Sequence, residues 1–139
     1  LGVNRKVALD IVSVFGRLFD ARFPIMHMDP TDLDPPGDPA VPVHDDTVAF
    51  NCRPIAGTST WSQHAYGLAV DINPEQNPWV KGERVVPRAG KPYADRSQML
   101  PGMIHADDAV VQAFADIGWG WGGDWSSMKD YMHFSSTGG

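Results

Sequence analysis

The chain has 139 residues, 42% of them hydrophobic, which suits one domain (1–139) around one core. A net charge of −6 with 11 scattered Lys and Arg residues argues against a nucleic-acid surface, which needs a concentrated basic patch, and no apolar run is long enough to span a membrane. A single cysteine, Cys52, rules out an internal disulfide, and the 12 Pro and 14 Gly predict a loop-rich soluble protein held by packing and by metal.

Leu1 opens without a charged region and cleavage site, so a signal peptide is either trimmed or never existed. From Val7 onward, Val7, Ile11, Val14, Phe15, Leu18 and Phe19 recur at helical spacing, which predicts a core-facing helix ending before Pro24. Residues 29–46 are dense in Pro, Asp and Gly and read as an irregular surface loop. Two segments have strand character, "TVAFNCR" (47–53) and "LAVDI" (68–72). In the first, Cys52 reads as a small buried residue. In the second, Leu68, Val70 and Ile72 share one face and Ala69 and Asp71 the other.

Residues 76–104 lack a period and are expected to form a long excursion with a short hairpin around Val85 and Val86, of the kind that edges binding sites. Asp107 and Asp108 open a second amphipathic helix bearing Val110, Val111, Phe114 and Ile117, stopped by Gly118. "KDYMHFS" is expected to be a final strand with Tyr131, His133 and Ser135 on one face. This order predicts an α+β fold, with helices packed on a mainly antiparallel sheet.

The stretch "WSQHAYGLAVDINP" holds His64 and Asp71 with six residues between them. Catalytic zinc takes three ligands from His and carboxylate and leaves a position for water. His64, Asp71 and one further His complete such a set, and His133 is the best candidate, near the centre of a predicted strand with Asp130 three residues earlier. Two imidazoles and one carboxylate leave net positive charge on a divalent ion, which keeps it a useful Lewis acid. A carboxylate beside the activated water is placed to be a general base, and Asp130 has to lie in a preceding turn to reach it. The same donor set is the facial triad of non-haem iron oxygenases, although their signature has one residue between the first His and the acid. His27, His44 and His105 have no partner pattern and read as structural or solvent-exposed loop residues. Trp119, Trp121 and Trp125 read as core plugs and pocket wall, because the intervening glycines let large rings pack on backbone.

Ser62, His64, Gly67, Ala69 and Asp71, then "WGWGGDW", then Asp130 with His133 and Phe134, resemble the pattern of the M15 zinc peptidases. That family comprises D-alanyl-D-alanine carboxypeptidases and L-alanyl-D-glutamate endopeptidases of bacterial or phage origin. With "FNCR" upstream the likeness spans about residues 47–135. The resemblance implies a small domain of the kind shared with the hedgehog signalling domain, one Zn2+ held by His64, Asp71 and His133, and Asp130 as the base. Arg53 stands where such enzymes place an arginine that holds substrate oxygen or carboxylate. Some relatives have Glu where this chain has Asp130. The implied substrate is the peptidoglycan stem peptide, cleaved by metal-activated water at either the D-Ala-D-Ala or the L-Ala-D-Glu bond. The implied location is extracytoplasmic or at the wall, by secretion or as a phage lysin. A monomer is expected. Because the hedgehog domain keeps a zinc site, the rival reading is a non-catalytic zinc-containing wall-binding module.

Overall fold

A computed structural model describes residues 1–29 and 45–139. In chain order it contains α1 (Ala8–Asp20), β1 (Ala69–Asp71), β2 (Trp79–Lys81), β3 (Arg84–Val86), α2 (Ala109–Asp116), β4 (Gly120–Trp121), β5 (Lys129–Asp130) and β6 (His133–Ser135). Short 3₁₀ turns occupy Gln63–Tyr66, Arg88–Tyr93 and Gly122–Asp124. Two antiparallel three-stranded sheets result, ordered β1-β6-β4 and β3-β2-β5, so the α+β expectation holds. Among the described residues no helix is long and apolar enough to cross a membrane.

α1 turns Ile11, Val14 and Leu18 inward, at the 3- and 4-residue spacing that keeps side chains on one helical face. Phe19, expected in that stripe, is 82% exposed because it lies one residue, about 100° of helix, past Leu18. α2 starts at Asp108, whose carboxylate accepts hydrogen bonds from the backbone N–H of Val110 (2.9 Å) and Val111 (3.1 Å). It ends at Gly118 (φ +80°), where the N–H of Gly118 bonds the Ala115 carbonyl and that of Trp119 bonds Phe114. This paired closure satisfies two orphan carbonyls and needs a left-handed residue. α2 then buries Val110, Ala113 and Phe114, with the Phe114 ring stacked 4.1 Å from Phe134 of β6. Phe134 thereby fixes β6 from its core side, and β6 is the strand that presents His133 on the other.

The expected strand at 47–53 is reduced to one isolated bridge, Val48 opposite Asp71. Below it the chain turns back on itself, Pro54 bridging Trp61, which leaves Cys52 exposed rather than buried. The hairpin expected near Val85 forms as β2–β3. The predicted final strand is broken: Lys129–Asp130 belongs to the second sheet and His133–Ser135 to the first, with a turn at 131–132 between. The loop expected at 29–46 lies almost wholly outside the described residues, as does His44.

Candidate metal centre

Asp71 and His133 are direct partners in the β1–β6 ladder, so their side chains leave the sheet on the same face. His64 reaches them by a local device. Ser62 Oγ accepts the His64 N–H (3.3 Å) and caps the 3₁₀ turn Gln63–Tyr66. Gly67, at φ +63°, then reverses the chain into β1; a Cβ there would lie 2.6 Å from the Asn4 backbone nitrogen. One turn, one left-handed glycine and a strand return account for the six-residue interval.

The three side chains converge. His64 Nε2 lies 3.2 Å from His133 Nδ1 and 3.2 Å from Asp71 Oδ2, and His133 Nδ1 lies 3.1 Å from Asp71 Oδ1. All three are buried, and they form a group whose ligand atoms lie within 4.8 Å of one another. Bonds of about 2.0–2.1 Å to a tetrahedral ion place donor atoms about 3.3 Å apart. The spacing therefore fits a small divalent cation.

Proton placement strengthens the fit. His64 Nδ1 lies 2.6 Å from the Ala49 carbonyl oxygen, which can only accept, so Nδ1 carries a proton and Nε2 of the neutral ring turns its lone pair on Asp71. A lone pair facing a carboxylate needs a proton or a cation between them. Burial opposes charge on His64, yet the Asp71 charge and the hydrogen bonds to Asp71 and Ala49 outweigh it and raise its pKa. Burial likewise opposes charge on Asp71, but both histidines hold its carboxyl well below the usual carboxylate range. The pocket attracts positive charge at its centre.

Asp130 ends β5, opposite Trp79, and its Oδ1 is buried without a hydrogen-bond partner among the described residues. Burial, then the Asp71 charge, push its carboxyl up to about 7, against the pull of His133, His64 and Arg53. The break between β5 and β6 does the work expected of a preceding turn, since it lets Asp130 approach from the second sheet. Gly122 makes the approach possible: a Cβ there would lie 2.5 Å from the Asp130 carbonyl oxygen and 2.9 Å from its Cβ. Arg53 is half-buried, its Nε has no hydrogen-bond partner among the described residues, and its charge acts on both His64 and Asp130.

Of the remaining residues singled out in the sequence, Trp119 and Trp121 are buried in the core, while Trp125 lies with its ring 5.5 Å from that of His133. His27 bonds Asp46 at 2.9 Å, and His105 is half-buried, its Nε2 without a hydrogen-bond partner among the described residues. Sequence reasoning missed the Ala49 carbonyl, a backbone group with no residue signature, and the role of Gly122, which the glycine-rich "WGWGGDW" could have suggested.

Residues 56–136, more than half of the chain, match a family model described as D-alanyl-D-alanine carboxypeptidase. No curated protein and no solved structure matches the chain.

Proposed function

Because the chain belongs to the D-alanyl-D-alanine carboxypeptidase family of the M15 peptidases, we propose that it is a zinc peptidase hydrolysing the stem peptides of bacterial peptidoglycan outside the cytoplasm. The observation that carries this reading is the convergence of His64, Asp71 and His133 beside the unpartnered Oδ1 of Asp130. In this reading His64 Nε2, Asp71 and His133 Nδ1 hold the zinc. The ion supplies Lewis acidity toward water and toward a peptide carbonyl.

The chain's own side chains do the rest. Asp130 accepts a proton at Oδ1 from the attacking water and hands it to the leaving amine nitrogen. The guanidinium of Arg53, with an unsatisfied buried donor, steadies negative charge on substrate oxygen or carboxylate. The Ala49 carbonyl holds the His64 ring, and the Trp125 ring packs on His133, so neither imidazole is free to turn away.

Digestion of purified muropeptides by the zinc-supplemented protein, read by mass spectrometry, tests the proposal. Loss of a single alanine identifies a carboxypeptidase, the outcome that the family description favours. Release of the whole stem identifies cleavage of the L-Ala-D-Glu bond. An unchanged spectrum with every divalent metal supplied supports the wall-binding module instead.

A further inference from the structure

The second sheet carries more than Asp130. In its ladders Trp79 is the direct partner of Asp130 on one side and of Val86 on the other, and Lys81 is the partner of Arg84. Directly paired residues, and residues two apart on a strand, leave a sheet on the same face. Asp130, Trp79, Lys81 and Arg84 therefore share one face, running outward from the candidate base. The Arg84 guanidinium lies 5.6 Å from the centre of the Trp79 ring, which holds cation and aromatic side by side. The hairpin closes through Gly82–Glu83, with Gly82 at φ +57° supplying the positive φ that tight hairpin loops require.

The segment that carries this face is basic in an acidic protein. Residues 79–91 hold Lys81, Arg84, Arg88 and Lys91 against the lone acid Glu83, although the chain's net charge is −6. Arg88 and Lys91 stand three apart on the 3₁₀ turn Arg88–Tyr93, a spacing that eclipses side chains on one side. All four cations are exposed, and among the described residues none makes an ion pair. They are thus free to bind something other than the protein itself.

We propose that the Trp79–Lys81–Arg84 face is a substrate subsite that docks a free side-chain carboxylate of the stem peptide about two to three residues from the bond being cut, since the cations stand one to two strands (about 4.8 Å each) and two residues (about 3.3 Å each) from Asp130 in the ladder. The inference rests on the proposed peptidase activity. Trp79 supplies an apolar platform for the peptide between base and cations, and Lys81 and Arg84 give charge-assisted contacts at its far end.

The test compares a soluble muropeptide with the same muropeptide whose side-chain carboxylates are amidated and whose C-terminal carboxylate is left free. In the double variant Lys81→Glu/Arg84→Glu, KM for the carboxylated form is expected to rise about tenfold with kcat nearly unchanged, while KM for the amidated form stays at the wild-type value. In the wild type, added salt should raise KM for the carboxylated form alone. Equal effects on both forms, or on neither, overturn the subsite. Calorimetric binding of the two muropeptides to wild type and double variant separates this from the activity: a wild type that binds the carboxylated form about tenfold more tightly than the double variant does, yet cleaves neither, supports the docking face and overturns the peptidase reading. Binding that does not distinguish the two proteins overturns the docking face whatever the turnover.

Discussion

Asp71 and His133 face each other in register across β1 and β6, Oδ1 to Nδ1 at 3.1 Å, and this pairing fixes two of the three donors before any loop contributes. His64, carried on the 3₁₀ turn before β1, closes the triangle. Two donors sit on a ladder and the third on a capped turn, so the group is largely preorganised.

Asp130→Ala removes the proposed proton acceptor but no member of the converging triad. Hydrolysis should fall by about 10²–10⁴-fold, the usual worth of a positioned general base, while bound zinc per chain stays at the wild-type level. Activity assay alongside elemental analysis checks both. Loss of zinc together with activity would assign Asp130 to the ion instead.

Gly122→Ala tests the packing that lets Asp130 in. The new Cβ would stand 2.5 Å from the Asp130 carbonyl oxygen, and that obstacle is backbone, so β5 must shift. A displacement of about 1 Å at a catalytic group costs about 10²-fold. The loss should fall on kcat rather than KM, with zinc retained, as steady-state kinetics would show.

The protonation pattern makes stability of the metal-free protein depend on pH. His64 is raised above its ordinary 6.5, so its contribution is complete below that value and is lost as pH climbs through the folded pKa. Asp130, raised from 3.8 to about 7, works in the same sense: the folded state holds a proton that the unfolded state has released, and stability drains between those values. Asp71 is lowered, so its contribution is present above 3.8 and fails only as pH falls through its folded pKa in strong acid. The metal-free protein should therefore melt at progressively lower temperature as pH rises from about 5 to about 8. In the proposed reading zinc would displace the proton on His64 and favour loss of the one on Asp130, so its affinity should rise over the same range and the gap in Tm between loaded and stripped protein should widen. Calorimetric scans of both forms would read this, and a gap that narrows toward alkaline pH would contradict it.

Asp108→Ala removes the side chain that caps α2 through Val110 and Val111. The cost should be about 1 kcal/mol of stability, by denaturant titration, with zinc affinity and turnover unaltered because α2 acts only by holding Phe114 against Phe134.

Much of this was legible in the sequence because it rests on short-range rules. The 3- and 4-residue spacing of Ile11, Val14 and Leu18 marks α1, and Asp108 with Gly118 brackets α2. The spacing around Gly67 points to a turn followed by a strand. What escaped is nonlocal. "KDYMHFS" alternates like one strand, and only the pairing of Asp130 with Trp79 and of His133 with Asp71 splits it between two sheets. "TVAFNCR" has strand composition, yet only Val48 finds a bridge partner, and composition does not encode the partner. The cations Lys81 and Arg84 lie close together in the sequence, but that they share a face with Asp130 follows only from the pairing of Trp79 with Asp130.

The central claim is tested most directly by anomalous diffraction at the zinc edge from crystals of the zinc-loaded protein. One peak about 2.0–2.2 Å from His64 Nε2, an Asp71 carboxylate oxygen and His133 Nδ1 together is the result expected. A zinc peak bonded to other residues, or active protein with no peak among these three, would contradict the account.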